Sequence, residues 1–166
     1  FTSTTVAGSA TVHIGSSGTG NWDGNYHFYI SWLFDNGCET GLTSLVTTGA
    51  SAPNGPFTFA SEQLSFNFSV EDNNSTRNHI GGDARIHGAR IYFRETGTVE
   101  RYVLAEVSLQ DGVKGAVDST FTPWTEPATD TFTLGANITF KSPPSIDTYV
   151  SKNGYYANEM YDESHE

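Results

Sequence analysis

The sequence has one cysteine, Cys38, so no internal disulfide can form and no cysteine-based zinc site can be assembled. That usage fits cytoplasmic synthesis better than a disulfide-stapled secreted scaffold. Positive charge is scarce. Eight Lys and Arg stand against nineteen Asp and Glu, for a formal net charge of −11, and no Lys or Arg precedes Arg77. Such an excess disfavours attraction to a nucleic-acid backbone. No apolar run approaches the length needed to span a membrane, and the first residues do not read as a signal peptide. Neither a nucleic acid nor a membrane is therefore expected as a partner. The Glu, Lys, Leu and Ala that favour helices are also few.

What is present is period-two alternation, which sends successive side chains to opposite faces of a sheet. Ala10, Val12 and Ile14 alternate with Thr11 and His13. Tyr26, Phe28, Ile30, Trp32 and Phe34 share one face of a longer strand, and Leu64, Phe66, Phe68 and Val70 share another. Ala89, Ile91 and Phe93 alternate with Arg90, Tyr92 and Arg94. Val103, Ala105, Val107 and Leu109 form a fifth stretch, and Phe132, Leu134, Ile138 and Phe140 a sixth. Asp23-Gly24-Asn25, Asp35-Asn36-Gly37 and Asp111-Gly112 supply residues suited to tight hairpin turns. Many short strands with frequent turns predict an all-β fold, an antiparallel β-sandwich with a wet outer face. The simplest organisation is one sandwich over 1–142, followed by an acidic linker or docking tail over 143–166. The alternative is two small β-modules divided near 51–57. The chain starts at Phe1 rather than Met and stops amid acidic residues, so a processed product or an excised fragment is expected.

Two segments carry a resemblance. Gly24 to Thr40 is an aromatic strand, an Asp-x-Gly turn and then Cys38-Glu39-Thr40. Ala89-Arg90-Ile91-Tyr92-Phe93-Arg94-Glu95, followed by Tyr102 to Val107, reads as paired central strands. Together they resemble fibronectin type III and immunoglobulin-like β-modules, in the form found within large virion and tail-associated proteins of tailed bacteriophages. Pro143 to Tyr149 with Asn153-Gly154-Tyr155 is similar to the connector that follows such modules. The resemblance spans residues 24–48, 85–109 and 143–156. It departs from the family in strand order, which would be permuted here, and in placing Cys38 where the turn usually carries a polar residue. It implies a non-enzymatic structural part of a virion, assembling with other virion proteins or with copies of itself. The alternative is a secreted or cell-surface module that binds a glycan.

The search for chemistry returns little. Gly15-Ser16-Ser17-Gly18-Thr19 lacks the final Gly of a nucleophile elbow and reads as a turn. His79, Asp83 and His87 are evenly spaced and of metal-ligating type, but Gly81-Gly82 interrupts them, and polar loop residues are the plainer reading. Glu71-Asp72-Asn73-Asn74 lacks the alternating spacing of a calcium loop. The Asn-x-Ser/Thr sequons at Asn67, Asn73, Asn74 and Asn137 are what chance supplies in such a composition. No catalytic residue, metal site or cofactor is expected. The candidate interface is Arg90, Tyr92 and Arg94 on an outward strand face, with Tyr155 and Tyr156 in the tail. For a glycan, Trp22 and Trp124, in apparent loops, are the candidate stacking platforms, weighed against their capping the core. Trp32 is expected in the core, and Cys38 as a small buried or half-buried filler.

Overall fold

The computed structural model describes residues 2–6, 10–45, 56–71, 85–125 and 133–152. Among the described residues eight strands follow one another: β1 (Thr2–Val6), β2 (Ala10–Phe34), β3 (Thr43–Ser44), β4 (Phe57–Glu71), β5 (Ile86–Glu95), β6 (Tyr102–Ser108), β7 (Gly112–Gly115) and β8 (Thr133–Phe140). All pair antiparallel in a single sheet, ordered β7-β6-β5-β2-β4-β8, with β1 and β3 both paired to β2. The all-β antiparallel class expected from alternation is what the structure shows. The strands curl as one sheet, and strands on both sides of 51–57 belong to it.

The two ends of the sheet meet through residues 122–125. Val113 and Thr122 exchange backbone hydrogen bonds of 2.9 and 2.7 Å, and Thr125 and Gly135 exchange bonds of 2.8 and 2.9 Å. The result is a nearly closed, barrel-like sheet. Gly112 makes this seal possible. Its φ is +118°, and a Cβ there would run into the carbonyl of Thr122. The expected Asp111-Gly112 turn thus joins β6 to β7 and also admits the sealing segment.

Inside the curl lies one apolar core. Ala10, Val12, Ile14, Trp22, Tyr26, Phe28 and Ile30 come from β2, and Leu64, Phe66, Phe68 and Val70 from β4. Ala89, Ile91 and Phe93 of β5 face Leu104, Ala105 and Val107 of β6. Phe132, expected on the last strand, lies outside the described residues.

Among the irregularities of the described strands, three bear on the alternation read from the sequence. The first is at Asp23-Gly24-Asn25, expected to be a hairpin turn. Gly24 does take a positive φ, +107°, yet β2 runs through it without reversing, because β4 pairs on one side as far as Tyr26 and β5 pairs on the other from Tyr26 onward. The second is Ser61, a non-glycine residue with φ +55°. Leu64, Phe66 and Phe68 point inward at even positions, whereas Phe59 does so at an odd one, so β4 changes parity at this residue. The third is the register shift between β5 and β6 at Ile91/Tyr92. It sends Val103 to the outer face beside Tyr92, while Leu104 and Ala105 both serve the core. Val103 therefore does not share a face with Ala105 and Val107.

The expected tail is partly structural. Val103 donates its N–H to the carbonyl of Asp147, and Tyr149 donates to Arg101, each at 2.8 Å. Residues 147–149 thereby occupy the stretch of the β6 edge that β7 leaves open, before a single helical turn at 149–152. Tyr155 and Tyr156 lie outside the described residues.

Candidate functional site

The outer face over the C-terminal half of β2 and over β5, β6 and β7 concentrates the ionisable side chains. Its organisation follows from register. Ser31 of β2 is opposite Arg90 of β5, Arg90 opposite Glu106 of β6, and Glu106 opposite Lys114 of β7. At the near end of this row the Asp35-Asn36-Gly37 turn reverses the chain. Cys38 N–H bonds the Asn36 side-chain oxygen at 3.0 Å, and Phe34 N–H bonds the Cys38 carbonyl at 2.9 Å. The returning backbone pairs Glu39 with Leu33, which places the Glu39 carboxylate over Ser31.

Glu39 is the hub. It accepts from the Ser31 hydroxyl, from Tyr92 OH at 2.6 Å and from Arg90 Nη1 at 2.6 Å. Its side chain is only 2% exposed. Arg90 Nε continues to Glu106 at 3.2 Å, and Lys114 Nζ meets the other Glu106 oxygen at 3.3 Å. Charges therefore alternate in sign along the row, Glu39, Arg90, Glu106, Lys114.

A second, mainly apolar row runs beside it. Tyr29, Tyr92 and Val103 are buried beneath Leu42, Ala116 and Tyr149. Tyr149 stands edge-on to Tyr92 with ring centroids 5.3 Å apart, and its hydroxyl reaches the Thr40 carbonyl at 3.4 Å. It thus links the β6 edge to the segment after the turn. Arg94 donates to Tyr29 OH at 2.7 Å, and the Arg101 guanidinium lies 5.1 Å from the Tyr29 ring centre.

The candidate interface residues are thus brought together, but they bind one another's neighbours within the chain. Tyr92 has no exposed surface, Arg90 is half-buried between two carboxylates, and Arg94 is engaged with Tyr29. An outward-pointing residue on a strand is not an exposed one when flanking segments fold over it. Glu39, Glu106 and Lys114 were not singled out from the sequence. The usable signal was that Glu106 falls opposite Arg90 in a β5–β6 hairpin, whereas the fold-back that buries Glu39 leaves no periodic trace.

The stacking candidates fare differently. Trp22 has no exposed surface and sits among Tyr26, Phe28, Phe59 and Phe93, so it offers no platform to solvent. Large apolar area won over its polar, Gly-rich sequence surroundings. Trp124 is half-buried, packed on Phe68 with its indole N–H on the Leu109 carbonyl at 3.1 Å. Cys38, expected as buried or half-buried, is exposed at the turn. His79 and Asp83 lie outside the described residues. His87 lines a groove of about 550 Å³ together with Asp35, Arg90, Glu106, Asp111 and Phe121.

The row has an acid–base consequence. Burial by itself would raise the pKa of Glu106, but Arg90 and then Lys114 outweigh it and hold the carboxyl below its ordinary range. A depressed native pKa contributes stability that is present above the unfolded value, about 4.3, and lost as pH falls through the native one. The urea midpoint is expected to drop between about pH 5 and pH 3, and the Glu106→Gln variant to lose less over that window. Equal acid losses in the two proteins would refute the assignment. Tyr92 behaves in the opposite sense. Burial, then its hydrogen bond to Glu39, pushes the phenol up, so its contribution is lost once the unfolded chain ionises, above about pH 10.

No family model, characterised protein or solved structure matches this chain.

Proposed function

We propose that this chain is a non-enzymatic structural module of a phage virion or tail-associated protein, working through protein–protein contact. The observation that carries the reading is the use made of its ionisable outer side chains. Arg90, Glu39, Tyr92 and Glu106 bind each other across β2, β5 and β6, bracing the sheet. Side chains committed to one another in this way suit a rigid spacer. The resemblance of residues 24–48, 85–109 and 143–156 to modules of phage virion proteins supplies the kind of assembly. Kinship with fibronectin-like sandwiches is part of the same proposal, and it rests on that residue pattern.

The test is residence in particles. Tryptic peptides of the chain are expected in purified, DNA-filled virions, and antibodies to it are expected to place gold label on tails. Finding the chain only in the soluble fraction of infected cells would overturn the proposal.

A further inference from the structure

The other half of the outer face, over the N-terminal half of β2 with β4 and β8, has a different composition. Its rows read Thr11–Ser69–Gly135, His13–Asn67–Asn137 and Gly15–Ser65–Thr139, followed by Ser17–Gln63. None of these positions carries Asp, Glu, Lys or Arg, in a chain whose formal net charge is −11. The nearest charges along the strands are Glu62, next to Gln63 on β4, Glu71 at the end of β4 and Lys141 just past β8. Asn137 and Thr139 are exposed, and Ser65, Asn67 and Ser69 are half-buried. Asn67 donates to the Asn137 side-chain oxygen at 2.8 Å, which leaves the Asn137 amide group pointing its donors away from that bond.

Exposed sheet surfaces of monomers ordinarily carry charges that keep copies apart. With so large an excess of one sign, two copies of this chain repel in most orientations. A charge-free face lets them approach without opposing like charges and without stripping water from an ion. Hydroxyls and amides are each both donor and acceptor, so a face made of them is complementary to itself. Its side chains are small, which suits the roughly 10 Å spacing of stacked sheets.

We propose that the β2–β4–β8 face binds the same face of a second copy of the chain, as a two-fold dimer. This rests on the structural-module reading and names its partner. Sedimentation velocity on the full chain from about 1 to 100 µM, where a micromolar interface titrates, is expected to show a monomer–dimer equilibrium. Asn137→Lys and Thr139→Lys, at exposed outward positions, are expected to weaken it at least about tenfold with unchanged circular dichroism, by burying an unpaired cation. Mixing the Thr139→Lys chain with a Thr139→Glu chain is expected to restore association. A wild-type chain that stays monomeric throughout, or a dimer indifferent to both lysines, would overturn the proposal; the wild-type arm stands even if a variant fails to fold. The particle-labelling experiment fails or succeeds separately, so a monomer found in virions would remove self-association alone.

Discussion

Arg90→Leu is expected to destabilise the protein by about 3–5 kcal/mol, the usual cost of removing one partner from a buried ion pair. The reason lies in what remains. Glu39, 2% exposed, would keep hydroxyl donors from Ser31 and Tyr92 but lose the Arg90 guanidinium bonded to it. Glu106 would retain Lys114, so the far end of the row is cushioned. Glu39→Leu is expected to cost less, because Arg90 keeps Glu106 and its side chain is 21% exposed, enough to recruit water. The double variant Glu39→Leu/Arg90→Leu is expected to cost clearly less than the sum of the two, since no uncompensated charge is left inside. Urea unfolding followed by tryptophan fluorescence measures all three. A loss under about 1 kcal/mol for Arg90→Leu would mean that the pair is worth no more than a surface salt bridge.

The second large effect belongs to Trp22. Its ring is in contact range of four others: centroids lie 5.0 Å from Tyr26, 5.0 Å from Phe93, 5.5 Å from Phe59 and 6.4 Å from Phe28. Trp22→Ala is expected to cost about 3–5 kcal/mol, the lost transfer energy plus the cavity left among rings fixed by their strands. Trp22→Phe is expected to cost far less than half of that. The indole N–H is buried with no hydrogen-bond partner among the described residues, so phenylalanine removes an unsatisfied donor along with some volume. Two substitutions at one position thus separate packing from polarity. If both cost the same, the indole nitrogen has a partner that matters. Acrylamide is expected to quench the Trp22 emission poorly, and easy quenching would contradict the burial.

Much of the fold was legible because alternation is a direct imprint of a half-buried strand. The stretches around Val12, Phe28, Phe66 and Ile91 all became strands with the expected residues inward. What escaped were points where the backbone changes phase without announcing it. Gly24 looked like a turn, but a positive φ is also compatible with a kinked strand, and only the neighbouring β4 and β5 decide which. Ser61 has no special sequence signature, yet Phe57 and Phe59 join the aromatic core through its left-handed conformation. Val103 is apolar on either face, so its periodicity could not reveal the bulge. At the site, Arg90 and Tyr92 were visible as an outward pair. Their burial was not, because it depends on Glu39 folding back and on Tyr149 crossing from far along the chain.

The length of β2 has a thermodynamic consequence. Its first half is hydrogen-bonded to β1 and β4, and its second half to β3 and β5. Neither half of the sheet owns a complete set of strands, so neither can melt while the other persists. Cooperativity is built into a single shared strand: loss of either flank strips one end of the template on which the other is ordered. Heating should therefore meet one transition, with the ionic row and the aromatic core failing at the same temperature.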